Sequence, residues 1–113
     1  MNLAELVERL DLRVFSGRDG LSRAVSGGYT GDLLSDVIAH GRKDQVWVTI
    51  QIHPNVVAVA VLKELAAIVL ANGREPASET IDRARKEKVP ILGTTLTAFE
   101  IAGKLHGLGV RGD

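Results

Sequence analysis

The sequence predicts an α/β fold, arranged as three α/β/α layers around a mainly parallel central sheet. Short apolar segments alternate with helical patterns, and the connections between them are short. This rhythm is typical of parallel strands joined by right-handed crossovers. The two strongest strand segments, 46-VWVTI-50 and 67-AIVLA-71, lack polar alternation, as expected where helices cover both faces of a sheet. At 113 residues the chain fits one domain, and we expect residues 1–113 to form it.

The first predicted element is a helix over residues 3–10, because apolar side chains recur there at i, i+3, i+4 and i+7. Asn2 is suited to cap it. Residues 12–15 alternate like a short strand, and residues 16–23 are glycine-rich and polar, which indicates a loop.

The repeating strand–helix pattern starts at residues 24–26, which we predict to form a short strand. A glycine turn follows, and then a helix near residues 31–40 that Gly41 can end. Residues 46–50 are β-branched and aromatic, which favours a strand.

The second half of the chain repeats the pattern. Pro54 suits the first turn of a helix, which we predict to run to about Leu65. A strand over residues 67–71, a helix over residues 78–88 and a short strand over residues 90–92 follow.

The last helix is predicted to begin at Thr97. Glu100 lies three residues further on, and Thr-x-x-Glu is the pattern of a capping box, in which each side chain accepts from the other residue's backbone N–H.

The predicted helix over residues 55–65 is apolar nearly all round in its first two turns. Such a helix must be covered on more than one side. Two covers remain open from the sequence: a second copy of the chain, giving a homodimer, or the N-terminal helix of the same chain.

Composition argues against several classes of function. The chain carries 14 basic and 14 acidic residues and few aromatic residues, whereas nucleic-acid binders show a basic surface or stacking platforms. It contains no cysteine, and its three histidines lie far apart in sequence, so we expect no metal site and no cofactor.

Membrane insertion and secretion are also not indicated. The N-terminus lacks an unbroken apolar segment, and Lys63 and Glu64 interrupt the apolar run 56–71, where charges would be costly in lipid. We therefore expect a soluble, cytoplasmic protein.

A binding edge is predicted where the parallel strands end, because ligands of open parallel sheets bind outside the carboxyl ends of the strands. Four loops leave such ends, and helix N-termini there suit an anion. The candidate ligand-binding residues are small, polar or cationic: Gly27, Gly28, Thr30, Gln51, His53, Arg74, Thr94 and Thr95.

The glycine-rich stretch after residue 26 has two interpretations. It lacks the lysine of a phosphate-binding P-loop and the spacing of a dinucleotide loop. Gly27 and Gly28 would permit positive φ in a turn, with Thr30 or Asp32 capping the next helix. The other interpretation is a nest of backbone N–H groups for an anion or polar ligand, although Asp32 would repel a phosphate.

His53 is the titratable side chain best placed for chemistry, as a ligand contact or as a simple loop histidine. No Ser–His–Asp pattern and no paired carboxylates accompany it, and a general base needs a partner, so we expect no enzyme activity. Arg74 is the cation best placed to pair with a ligand anion.

The stretches 27-GGYTGDLLSDVIAHGRKDQVWVTIQIHPNVVAVAVL-62 and 70-LANGREPASETIDRARKEKVPILGTTLTAFEIAGKL-105 resemble a DRTGG domain. The resemblance covers about residues 20–110, and the segment VPILGTTLTAFEIA is its more specific part. The family's namesake Asp-Arg-Thr-Gly-Gly string is absent, and Asn72-Gly73-Arg74 follows the strand where relatives often have Thr-Gly-Gly. Similar domains form the N-terminal part of HPr kinase/phosphorylase and occur between the CBS repeats of some pyrophosphatases.

The resemblance implies a compact α/β/α domain, often an oligomer, with a regulatory or ligand-sensing role. Two functions follow as hypotheses. The first is a non-catalytic, homodimeric module that binds a small anionic or nucleotide-like ligand at the strand ends. The alternative is a protein–protein interaction module that docks a partner through the helix 55–65 or a sheet edge.

Overall fold

The computed structural model describes residues 1–112, which form one five-stranded sheet with helices on both faces. The strands are β1 (Arg13–Ser16), β2 (Gly27–Thr30), β3 (Gln45–Thr49), β4 (Ala67–Leu70) and β5 (Ile91–Gly93). The α-helices are α1 (Leu3–Leu10), α2 (Leu34–His40), α3 (Asn55–Leu62), α4 (Ser78–Glu87) and α5 (Ala98–Gly107). A 3₁₀ turn at Arg18–Gly20 interrupts the predicted loop after β1.

The strand order across the sheet is β1-β5-β4-β3-β2. Strands β2 to β5 are parallel neighbours in chain order, and only β1 is antiparallel, against β5. Because parallel crossovers are right-handed, three successive steps in one direction place α2, α3 and α4 on the same face of the sheet. The predicted fold class, a three-layer arrangement around a mainly parallel sheet, is confirmed.

Two apolar cores lie between the sheet and the helices, one on each face of the sheet. On one face, the sheet residues Trp47, Ile68 and Ile91 pack with buried side chains of α2, α3 and α4. On the other face, α1 and α5 cover the sheet through Leu3, Leu6, Ile101 and Leu105. Burying a large aliphatic side chain stabilises a fold by roughly 1.5–3 kcal/mol, so the side chains buried on each face contribute to stability.

Helix α3 lies between α2 and α4, which together with the sheet cover most of its apolar surface. The N-terminal helix does not cover it, because α1 packs on the opposite face of the sheet. That sequence-based alternative is therefore wrong. At the end of α3, Val61 remains 44% exposed and Leu62 remains 65% exposed.

The helix ends follow their predicted signals in part. Asn2 and Glu5 form a complete capping box at α1, in which each side chain accepts from the other's backbone N–H. At α5 the Thr97 hydroxyl accepts from the Glu100 N–H at 3.2 Å, and this is the half of the predicted box that the structure contains. Among the described helices, none has the length and apolar character needed to cross a bilayer.

The glycine-rich stretch is a strand and not a turn, which corrects the sequence-based assignment. Gly27 and Gly28 lie in β2 with ordinary negative φ. Residues 24–26, which were predicted to form a strand, do not form one. The chain's C-terminal segment runs beside them: the Gly28 N–H donates to the Arg111 carbonyl oxygen at 2.8 Å. A Cβ on Gly27 would lie 2.5 Å from that oxygen, so glycine is required for close packing.

We predict that Gly27→Ala lowers the free energy of unfolding by about 1–3 kcal/mol, because the new Cβ must displace a backbone carbonyl. Hydrogen exchange at the Gly28 amide should accelerate in this variant, since the bond to Arg111 is lost. Gly103→Ala is the matched control. A Cβ there meets nothing within 4 Å inside α5, so stability should rise by about 0.5–1 kcal/mol. Equal stability of the Gly27→Ala variant and the wild type would contradict the packing of Arg111 against Gly27 and Gly28.

Candidate functional site

The carboxyl ends of β2 to β5 lie along one edge of the sheet, because these four strands are parallel. The loops that leave them span residues 31–33, 50–54, 71–77 and 94–97. Since β1 is antiparallel to β5, its first residue, Arg13, pairs with the last residue of β5, Gly93. The start of β1 therefore shares this edge with the ends of the other strands.

A cleft of about 390 Å³ opens at this edge between the start of β1 and the loops that follow β4 and β5. Small-molecule sites usually enclose about 300–1,000 Å³, so the cleft suits a small ligand. Its polar and aromatic lining comes from three separate chain segments. This lining includes Arg13, Phe15, Arg74, Glu75, Thr94 and Thr95.

The loop after β4 turns sharply at Asn72 and Gly73, whose φ angles are 61° and 67°. Its backbone is fixed to the neighbouring loop: the Asn72 N–H donates to the Leu96 carbonyl and the Gly73 N–H to the Thr94 carbonyl, both at 2.8 Å. This turn carries Arg74 to the rim of the cleft. Within residues 1–112 the Arg74 guanidinium forms no ion pair with a carboxylate.

Phe15 forms an apolar wall of the cleft because β1 is irregular there. The register between β1 and β5 shifts between Val14 and Ser16, so Phe15 is the unpaired residue of a bulge, a feature that re-aims side chains. A Cβ on Gly93 would lie 2.5 Å from Phe15 Cε2, so only glycine leaves room for the ring. Beyond the bulge, the Ser16 hydroxyl donates to the Val89 carbonyl at 2.8 Å and anchors the strand.

Arg13 connects the two sides of the cleft. Its guanidinium carbon lies 4.6 Å from the centroid of the Phe15 ring, a cation–π contact. Its Nη1 atom lies 3.2 Å from Glu75 Oε1, in a pair whose side chains are 66% and 65% exposed. An exposed pair of this kind contributes only about 0–1 kcal/mol, so the contact is easily exchanged for another.

The loop after β5 supplies two hydroxyl groups. Thr94 Oγ1 accepts from the Leu96 N–H at 3.2 Å, which rigidifies the loop, and Thr95 is exposed beside it. Guanidinium groups bind phosphate or carboxylate in a planar, bidentate fashion, and hydroxyl groups add neutral hydrogen bonds. The arrangement can therefore hold a small anion that also carries polar groups.

Three of the eight sequence-predicted site residues, Arg74, Thr94 and Thr95, line this cleft. Gln51 and His53 lie after β3, which β4 separates from β5, so about 10 Å of sheet lies between those strand ends. Their side chains make local contacts. Gln51 Nε2 donates to the Asp32 carbonyl at 3.1 Å, and His53 Nδ1 accepts from the Asn55 N–H at 3.4 Å, at the start of α3.

The remaining three predicted residues belong to β2, the edge strand farthest from the cleft. Thr30 is the last residue of that strand and is exposed. Gly27 and Gly28 lie at the amino end of the strand, away from the carboxyl ends that border the cleft. The prediction that four loops form one binding edge is therefore wrong for the first loop, because Gly27 and Gly28 form part of a strand.

Asp32 does not cap the next helix, and it does not lie beside a glycine-rich anion-binding turn. Helix α2 begins after Leu33, with no side-chain cap. Asp32 Oδ1 instead accepts from the Thr49 hydroxyl at 2.7 Å and from the Ile50 N–H at 3.0 Å. The carboxylate thus joins the loops after β2 and β3 and has a structural role.

Sequence reasoning missed Arg13, Phe15, Glu75 and Gly93. The strand–helix rhythm gives the direction of strands joined by crossovers, but it gives no direction to a strand that enters from the N-terminal helix. The available signal was local: Arg13 and Phe15 alternate on a predicted strand, and Glu75 directly follows Arg74.

Comparison with known proteins identifies a family. The model of the DRTGG domain matches residues 5–108, which includes most of α1, the helix that the sequence resemblance left out. No curated protein matches the chain.

A solved structure shares the fold. It is the crystal structure of the CBS and DRTGG domains of the regulatory region of a Clostridium perfringens pyrophosphatase, complexed with its activator diadenosine tetraphosphate. The TM-score is 0.74 at 12% identity, and the match covers 98% of this chain and 48% of that chain. This chain therefore spans about half the length of that regulatory region, and at this identity the likeness concerns the fold alone.

A second polar cluster lies on β2 and α2. The Tyr29 hydroxyl donates to Asp36 Oδ2, and His40 Nδ1 lies 3.1 Å from Asp36 Oδ1. Burial, together with the bond to Asp36 and its charge, raises the pKa of Tyr29 to about 12. The hydrogen bond from Tyr29 is the main cause that lowers the pKa of Asp36, with His40 adding to it. None of these three side chains lines the cleft at β1.

Tyr29 is the only tyrosine, so phenolate absorbance reports it alone. We predict that native-state titration gives a pKa of about 12, against the ordinary 10.0. Because the folded pKa is raised, the stability that Tyr29 contributes is complete below pH 10.0 and is lost as the pH rises toward about 12. Asp36→Asn should lower the pKa only part of the way, since burial remains. A native midpoint at the ordinary value would contradict the described environment of Tyr29.

Proposed function

The chain belongs to the DRTGG domain family, and we propose that it is a regulatory module that binds a small anionic or nucleotide-like ligand without transforming it. The proposed site is the cleft between the start of β1 and the loops after β4 and β5. Residues 1–113 act as one domain in this proposal, and the cytoplasm, which holds phosphorylated metabolites, is its compartment.

The observation that carries the proposal is the position of Arg74. A turn fixed by two backbone hydrogen bonds holds it at the rim of the cleft, and no described carboxylate pairs with its guanidinium. Arg13 supplies a second guanidinium, and Thr94 and Thr95 supply hydroxyl groups. Two guanidinium groups and hydroxyl donors around a small cleft are suited to a phosphate or carboxylate.

The size of the cleft narrows the ligand class. A volume of about 390 Å³ lies near the lower end of the usual range for small-molecule sites. The structural relative was crystallised with diadenosine tetraphosphate, which has two nucleoside halves. A cleft of the present size favours one nucleoside monophosphate, and adenosine monophosphate is the natural first probe.

Catalysis forms no part of the proposal. General acid–base chemistry needs a base within hydrogen-bond reach of the group it deprotonates. Among the side chains of the cleft, the Thr94 hydroxyl accepts from a backbone N–H, and the Glu75 carboxylate forms an ion pair with Arg13. These contacts support a site that binds and holds a ligand.

We predict that Arg74→Gln weakens binding of adenosine monophosphate, measured by titration calorimetry, by about tenfold or more, since hydrogen bonds to charged groups contribute about 1.5–3 kcal/mol. Arg85→Gln is the matched control, because Arg85 is an exposed arginine of α4 outside the cleft. It should leave affinity unchanged. The proposal would be contradicted if the wild-type protein bound neither adenosine monophosphate nor pyrophosphate. It would also be contradicted if the Arg74→Gln variant bound adenosine monophosphate as tightly as the wild type.

A second function, assembly into a homodimer, is supported by the end of α3. Val57 and Val59 are buried inside the chain, so they are unavailable to a partner. Val61 and Leu62 are adjacent apolar side chains that stay exposed where the helix ends. A second copy of the chain, packed at this end of α3, would remove both side chains from water.

We expect Leu62→Lys to shift a dimer toward monomer in sedimentation equilibrium, because the charge would be buried in the interface. Leu33→Lys is the matched control, because Leu33 is 68% exposed and directly precedes α2. It lies near the carboxyl ends of the parallel strands, whereas α3 ends near their amino ends. Wild-type protein that sediments as a monomer at all concentrations, or a dimer that tolerates Leu62→Lys, excludes this interface.

A further inference from the structure

Arg13 and Glu75 reach the cleft from two different walls. Arg13 begins β1, and Glu75 belongs to the loop after β4, yet Nη1 and Oε1 lie 3.2 Å apart. Between β1 and β4 the sheet holds β5, whose end, Gly93, forms part of the cleft lining. The ion pair therefore joins two sides of the cleft above the end of β5, in the space where a ligand would enter.

We infer that Glu75 is an internal competitor for the ligand: its carboxylate occupies on Arg13 the position that a ligand's phosphate takes in the complex. This inference rests on the proposed function, because it concerns the same cleft. It adds a residue that sets affinity and a second anchor for the anion, Arg13, beside Arg74.

The ion pair is weak enough to be exchanged. Both side chains are about two-thirds exposed, and exposed pairs change an equilibrium constant by only about two- to fivefold. A phosphate monoester carries more negative charge than a carboxylate and accepts both N–H groups of a guanidinium fork. Phosphate is therefore the stronger partner for Arg13 once a ligand enters.

Arg13 stays in place when Glu75 leaves. The Phe15 ring lies 4.6 Å from its guanidinium carbon and holds it by a cation–π contact. Phe15 in turn is positioned by the bulge in β1 and by the absence of a side chain at Gly93. The guanidinium is thus pre-oriented, which reduces the entropy lost when a ligand binds.

The ligand class that fits is a small phosphate monoester of mononucleotide size. Arg13 and Arg74 stand on different walls of the cleft and together can neutralise a dianionic group. Thr94 and Thr95 lie on the remaining wall and can hydrogen-bond to ligand hydroxyl groups. A longer polyphosphate would bring more charge than two guanidinium groups balance, beside the carboxylates of Asp11 and Glu75.

The test is titration calorimetry of adenosine monophosphate at low ionic strength, with wild type, Glu75→Gln and Glu79→Gln. Glu75→Gln should bind about two- to fivefold more tightly, because the competitor is gone. Glu79→Gln changes net charge equally, on the first turn of α4 and outside the cleft lining, and should leave affinity unchanged.

The Arg13→Gln variant distinguishes competition between Glu75 and the ligand for Arg13 from simple repulsion of the ligand by the negative charge of Glu75. In the Arg13→Gln background, Glu75→Gln should give almost no further gain, since there is no guanidinium left to release. Where that background binds too weakly to measure, a crystal structure of the wild type with adenosine monophosphate decides. The phosphate should contact Arg13, with Glu75 turned away.

Four results would overturn the inference. Wild-type binding that Glu75→Gln leaves unchanged or weakens rejects it while the proposed function stands. An equal gain with and without Arg13, or an intact Arg13–Glu75 pair beside bound nucleotide, rejects it in the same way. Absence of binding in every variant rejects the inference and the proposed function together.

Discussion

Parallel pairing of β2, β3, β4 and β5 in chain order is the constraint on which the rest of the structure depends. Three right-handed crossovers in the same direction place α2, α3 and α4 on one face, which leaves the other face for α1 and α5. The same pairing brings the loops after all four strands to one edge. Both the layered core and the position of the cleft follow from this arrangement.

The antiparallel strand β1 converts that edge into a cleft. A fifth parallel strand would have brought another carboxyl end, whereas β1 brings its first residue, Arg13, beside Gly93. The bulge that follows turns Phe15 into the same space, and the loop after β4 adds Arg74 and Glu75. Two cations from different chain segments, Arg13 and Arg74, therefore line one cleft at the end of β5, an arrangement that the parallel strands alone do not produce.

The sequence predicted what local pattern encodes and failed where distant segments meet. Strands β3 and β4 were predicted to within one residue, because their short runs rich in β-branched and apolar residues favour a buried strand over a helix. The glycine stretch was misassigned because the requirement for Gly27 comes from the Arg111 carbonyl, more than 80 residues away in the sequence. In the candidate site, Arg74, Thr94 and Thr95 followed from the rule for strand ends, whereas the direction of β1, and with it Arg13, has no signal in the crossover rhythm.

The location of ligand binding is the most direct test of this account. Backbone amide shifts of the isotopically labelled chain, followed during titration with adenosine monophosphate, would locate the site without any substitution. If the ligand binds in the cleft, saturating shifts are expected at residues 73–75, 94–96 and Arg13, with little change at the loops after β2 and β3. Shifts confined to residues 31–33 and 50–54, or no shifts at all, would contradict it.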